Sequence, residues 1–206
     1  MTREGGKPFC ENFDEVEWSA ACFDYYAEVG RDSRGSSLPP VAHHQVNFTI
    51  KEPYGVVAAI VPWNYPLLLM AWKVAPALAA GNTVVLKPSE ETPLATLDLA
   101  AAFSALPRGT VNIVNGLGGE VGEALVTHPG VDLVALTGSL ATGQRVGELC
   151  AREIKKCHLE LGGNDPFIVF PDADLEVAAK GGVWAAFLNA GQVCTSAKRF
   201  FVFEEI

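Results

Sequence analysis

From residue 55 onward the chain alternates between short apolar runs rich in β-branched residues and longer stretches with helical spacing. This alternation constrains the fold more than any other feature. A buried strand followed by a helix returns to its sheet in parallel, and successive crossovers cover both faces. Residues 55–61, 83–87, 110–114, 132–137, 157–161 and 167–170 read as strands. A helix is expected from Pro66 to just before Gly81, with a first-turn proline and a C-terminal glycine. Further helices are expected over 92–105, 121–128, 142–153 and 175–189. The expected class is α/β, a parallel sheet with helices on both faces.

The first 54 residues differ. Glu15, Trp18, Cys22, Tyr25 and Tyr26 recur at helical spacing with polar residues between them, which predicts an amphipathic helix. Gly35, Pro39 and Pro40 follow, and then residues 46–52 alternate like an exposed or edge strand. Residues 56–80 are apolar enough to suggest a membrane span. Pro62, Asn64, Pro66, Lys73 and Pro76 interrupt them, so no continuous apolar helix of about 20 residues is expected.

Composition narrows the function classes. The net charge is −9, from 15 basic and 24 acidic residues, and no basic run occurs, so nucleic acid and anionic membrane are not expected partners. The five cysteines include no C-x-x-C pair and leave an odd one. Neither a disulfide framework nor a zinc site is expected, and a reducing cytoplasm fits. His43, His44, His128 and His158 show no metal-ligand spacing. The N-terminus is polar and lacks an apolar signal core.

Several strand ends carry chemistry. Cys194 follows a Gly191-Gln192 turn, and Glu160 lies upstream in Leu159-Glu-Leu-Gly-Gly163. A thiol and a carboxylate supply the nucleophile and base that acyl chemistry through a thioester needs. Taken alone, the cysteine also reads as a small buried residue and the glutamate as a paired strand-end charge. Asn64, in Pro62-Trp63-Asn64-Tyr65-Pro66, offers an amide donor for a developing oxyanion or caps a turn between two prolines. Lys87 and Glu90 could take ribose hydroxyls or pair with each other. Residues 116–122 approach the dinucleotide fingerprint G-x-G-x-x-G but miss it by one residue. Gly138-Ser-Leu-Ala-Thr-Gly143 begins like a triphosphate loop, yet Gln144 and Arg145 replace the lysine and hydroxyl. Either loop could bind a diphosphate at a helix start or be an ordinary turn.

Together these elements are more specific than any one alone. Pro62-Trp63-Asn64, Lys87-Pro-Ser-Glu90, Thr137-Gly138-Ser139-x-x-x-Gly143, Glu160-Leu-Gly-Gly163 and Gly191-Gln-x-Cys194 occur in an order that resembles the aldehyde dehydrogenase superfamily. Glu160 precedes Cys194 by 34 residues, also as in that family. The resemblance extends over essentially the whole chain and is closest to the betaine-aldehyde and aminoaldehyde branch.

The resemblance implies a Rossmann-like cofactor domain, cut at both ends. Residues 1–34 would be its helical part, 35–53 an assembly hairpin, 54–162 the dinucleotide-binding unit and 163–206 the start of a catalytic domain. Cys194 would attack a small aldehyde. Asn64 and the Cys194 backbone N–H would hold the oxyanion, and Glu160 would activate water against the thioester. Lys87 and Glu90 would contact the adenosine ribose of the cofactor, Trp63 would also bind the cofactor, and Gly138, Ser139 and Gly143 would form the diphosphate-side loop. A carboxylate at Glu90 favours NAD over NADP, because it accepts from a free 2′-hydroxyl and repels a 2′-phosphate. The loop at 116–122 would then lie away from the cofactor. In its full-length context the family implies a homo-oligomer. Two alternatives stay open: a remnant that binds cofactor or a full-length homologue without turnover, and a cofactor-free thiol hydrolase using Cys194 and Glu160.

Overall fold

A computed structural model describes all residues, Met1–Ile206. Its centre is a five-stranded sheet with all strands parallel. In chain order the elements are α1 (Thr2–Gly5), α2 (Phe9–Val29), β1 (Ser37–Leu38), β2 (Asn47–Phe48), β3 (Val56–Ile60), α3 (Pro66–Ala79) and β4 (Thr83–Lys87). Next come α4 (Leu94–Asp98), β5 (Val111–Ile113), α5 (Glu123–Thr127), β6 (Leu133–Thr137), α6 (Leu140–Arg152) and β7 (Lys156–Glu160). The chain closes with β8 (Asp165–Val169), α7 (Leu175–Phe187) and β9 (Ala197–Val202). The sheet order is β5-β4-β3-β6-β7, so the order reverses between β3 and β6.

Side chains along β3 alternate between two cores. Val57 and Ala59 join one with Met70 and Val74 of α3, whereas Ala58 joins the other with Val126 of α5 and Val146 of α6. Helices therefore cover both faces, and the β-α alternation has become the expected α/β fold. Lying between the sheet and α2, α3 buries ten of its residues and reads as apolar nearly all round. Its end uses Gly81 at φ +83° and the buried Asn82, whose side chain links Ala77 O to Gly55 N.

Four expectations need correction. The sixth strand leaves the main sheet: β8 pairs in parallel with β9 in a separate two-stranded sheet, with α7 between them in sequence. The helix over 92–105 is α only at Leu94–Asp98 and then tightens to a 3₁₀ helix, where Phe103 packs on Phe23. A wide turn at Gly118–Gly122 precedes α5, because three successive N–H groups converge on Leu117 O. Finally, the buried face of α2 is Asn12, Glu15 and Ser19, while Trp18 and Tyr25 are exposed. Hydrophobic periodicity misjudged that face because its buried Glu15 is satisfied by backbone N–H groups of α3 and by Lys7.

The segment before β3 forms a small antiparallel hairpin, β1 with β2. Only two residues of the expected 46–52 strand join its ladder, and Val46, Phe48 and Ile50 are exposed. No helix is long and apolar enough to cross a membrane.

Candidate active site

Strand register brings the predicted residues to one edge. Ile60 lies opposite both Lys87 and Leu136, and Thr137 lies opposite Glu160. Lys87, Thr137 and Glu160 thus sit at the C-terminal ends of β4, β6 and β7, with Trp63 and Asn64 just past β3. This is the edge where open α/β sheets bind ligands, at the point where the strand order reverses, here between β3 and β6.

Asn64 meets the cysteine loop although 128 residues separate it from Gln192. Its side-chain Nδ2 donates to Gln192 O at 2.9 Å. That acceptor lies two residues before Cys194 in sequence, and one bond leaves the second Asn64 amide hydrogen available. The loop is held further by Asn189, fully buried, whose Nδ2 donates to Asn64 O at 2.9 Å and to Gln192 O at 3.2 Å. Gln192 Nε2 returns a bond to Asn189 O. Cys194 itself is exposed.

Glu160 makes no hydrogen bond to Cys194. Its carboxylate lies 3.1 Å from His158 Nε2, both side chains being exposed. The two segments are joined instead by Lys198, whose ammonium donates to Gly163 O at 2.8 Å and to Cys194 O at 2.9 Å. Nearby, the buried Lys73 donates to Thr137 Oγ1 at 2.6 Å. Burial pushes this lysine down to about 8, with the Glu160 carboxylate pulling the other way. Its only signal in the sequence was a lone charge inside an apolar run.

The shift of Lys73 has a testable consequence. Its ordinary value is 10.5, so between about pH 8 and 10.5 the unfolded chain keeps a proton that the native state has released. Stability contributed at this site therefore rises with pH through that window. Urea unfolding should show the parent gaining up to about 3 kcal/mol relative to Lys73→Met between pH 7 and 10. Comparison with the variant removes Cys150, whose thiol, raised to about 11 by burial, acts in the opposite direction above pH 9.

The candidate cofactor residues separate into two kinds. Lys87 is buried and donates to Pro88 O and to Glu90 Oε2, each at 3.1 Å. Glu90 sits below the usual carboxylate range because its own backbone N–H, the Lys87 ammonium and Gly118 N–H all favour the anion. The loop at 116–122 lies against the Lys87–Glu90 pair, Gly118 N donating to Glu90 Oε1 at 3.3 Å. Trp63 is exposed at the same edge, and its carbonyl accepts from Thr92 Oγ1. Ser139 caps α6 and accepts from Thr142 N at 3.2 Å, which leaves the first amides of a 13-residue helix pointing at the edge. Gly138 N donates to Glu160 O and continues the sheet. Gly143 is buried, and a Cβ there would come within 2.4 Å of Leu161 Cδ2. It lets α6 lie close on the β7 end, a packing reason for glycine that needs no diphosphate. A dinucleotide fits this donor set, with α6 amides for a diphosphate and Lys87 with Glu90 for hydroxyls.

Comparison with known proteins decides the family. The aldehyde dehydrogenase family model matches residues 1–206. The chain belongs to the aldehyde dehydrogenase family. Betaine aldehyde dehydrogenase 1 of Oryza sativa subsp. japonica is 46% identical over 100% of this chain and 42% of its own length. The NADP(+) succinate-semialdehyde dehydrogenase GabD of Escherichia coli is 45% identical over 98% of the chain and 42% of itself. The crystal structure of Staphylococcus aureus betaine aldehyde dehydrogenase with NAD+ superposes with a TM-score of 0.97 at 38% identity, covering 100% of this chain and 41% of that one. The chain thus spans about two fifths of the length of these aldehyde dehydrogenases. Its α/β sheet is their Rossmann-like architecture.

Proposed function

We propose that the chain carries the cofactor-binding and nucleophile halves of an aldehyde dehydrogenase that oxidises an aldehyde to a carboxylic acid through Cys194. The observation that supports this most is the Asn64–Gln192–Asn189 network, which brings an amide donor to the loop of an exposed thiol. In this reading the Cys194 sulfur adds to the aldehyde carbonyl carbon, and the free Asn64 amide hydrogen and the Cys194 N–H hold the oxygen. A nicotinamide cofactor, when bound, supplies the hydride acceptor that turns the adduct into a thioester. Glu160 takes a proton from the water that hydrolyses it. Ser139 and the α6 amides hold the diphosphate, with Gly138 and Gly143 shaping the turn. Trp63, Lys87 and Glu90 line the adenosine side. The charge on Glu90 favours NAD, although relatives of both preferences are known, GabD being an NADP(+) enzyme.

Residues 54–162 are then the dinucleotide-binding unit, with 1–34 as its helical flank. Residues 163–206 begin the catalytic unit, and the 35–53 hairpin serves homo-oligomer assembly. A second reading, cofactor binding or association without turnover, is favoured by the exposed Trp184 and Phe187 on α7 and Phe201 on β9. Such faces mark surfaces that meet further protein.

Aldehyde-dependent NADH formation separates the two. Glu160→Gln should accumulate acyl-Cys194, visible as added mass on the intact protein, after about one equivalent of NADH, and its steady rate should fall about 10²–10⁴-fold. Cys194→Ala should form neither product. Turnover by Cys194→Ala at the parent rate would remove the thioester reading. Cofactor binding without NADH from the parent would favour the second.

A further inference from the structure

We propose that Glu11 is a positioning residue for the nucleophile loop, acting through Asn189; this rests on the reading of Cys194 as the nucleophile. Glu11 lies in the first turn of α2, and its carboxylate accepts from the backbone N–H of Asn189, 178 residues away. Asn189 and its neighbour Ala190 hold φ of +57° and +58°, left-handed values that no glycine relieves. Non-glycine residues in this region are disfavoured and persist only when their surroundings over-determine them. Here the over-determination is explicit. Glu11 fixes the Asn189 backbone, and the Asn189 side chain ties Asn64 O to Gln192 O.

The same helix grips the other side. One turn on, Glu15 accepts from Leu67 N and Leu68 N, just past Asn64. Carboxylates at i and i+4 of α2 therefore hold the segment after the oxyanion donor and the segment before the nucleophile. An acidic residue in a first helical turn is ordinary by itself. A charge-assisted bond from it to a strained loop two residues before Gly191-Gln192 is not, and it fixes where Cys194 stands relative to Asn64. A displacement of about an ångström there costs about 10²-fold in rate.

The test uses p-nitrophenyl acetate, which acylates a competent thiol without cofactor and releases nitrophenolate. Rapid mixing of the parent should give a burst that Cys194→Ala lacks. Glu11→Ala should slow the burst about 10- to 100-fold with little change in half-saturating ester. Glu11→Gln, which keeps a neutral acceptor for Asn189 N–H, should recover most of the rate. Hydrogen exchange of the peptide spanning residues 187–195 should quicken in Glu11→Ala while that of residues 66–72 stays unchanged. A parent-like burst in Glu11→Ala, or equal losses in both variants that track their melting temperatures, would overturn the proposal. If the parent shows no burst, the nucleophile reading under Proposed function fails. In that case unchanged exchange at 187–195 in Glu11→Ala would overturn the loop anchor too.

Discussion

Glu15→Ala should lower the free energy of unfolding by about 3–5 kcal/mol, the cost of leaving one partner of a buried ion pair behind. Glu15 is fully buried and pairs with Lys7, itself 1% exposed. The Lys7 ammonium also lies 4.0 Å from the Tyr65 ring centroid, and burial lowers its proton affinity despite the Glu15 carboxylate. Without Glu15 that cation loses its hydrogen-bonded anion and keeps only the Coulombic pull of Glu11. A second loss adds to the first. The N-cap of α3, Tyr65, provides no side-chain bond, so the Glu15 carboxylate supplies the cap from another helix. Urea unfolding with an unchanged m-value is the measurement, and a loss below about 1 kcal/mol would contradict this account. Replacing both Lys7 and Glu15 by methionine removes the orphaned charge but not the need for a cap. That pair should cost about 1–2 kcal/mol instead of being neutral.

Asn64→Ala should slow acylation of Cys194 about 10²–10³-fold, as loss of one oxyanion donor does elsewhere. Stability should change little, because the bond from Asn189 is received by the Asn64 backbone carbonyl, which the substitution keeps. Cofactor affinity should also hold, since Lys87, Glu90 and Ser139 make no contact with the Asn64 amide. The readout is the single-turnover rate per folded molecule with an activated ester or aldehyde. A rate within about threefold of the parent would leave Asn64 as a turn residue only.

The two variants separate roles that meet in five residues of chain. Glu15 acts on Leu67 and Leu68, which follow Asn64, and Tyr65 lies between them. Burial raises the Tyr65 hydroxyl to about 12, with Glu11, Glu15 and Cys194 adding to the effect. This shared environment means that a loss of activity in Glu15→Ala is interpretable only beside its stability. Asn64→Ala should show the reverse pattern.

The layered parallel sheet and the end of it that carries chemistry were legible in the residues alone. Strand and helix periods, prolines and capping glycines are local signals, and parallel strands joined by helices place every following loop at the same edge. Asn64, Lys87, Thr137 and Glu160 could therefore be assigned to that edge before any contact was known. Their pairing was not legible. That Glu15 is buried against Leu67, that Asn189 joins Asn64 to Gln192, and that Lys198 ties Gly163 to Cys194 depend on tertiary contacts. So does the placement of the 116–122 loop beside Glu90. In each case a polar group is satisfied by a partner across the fold, mostly a backbone N–H or C=O, and every residue type carries those groups. Side-chain hydropathy therefore holds no trace of them, which is why the polar face of α2 is the one that only the tertiary structure could identify as buried.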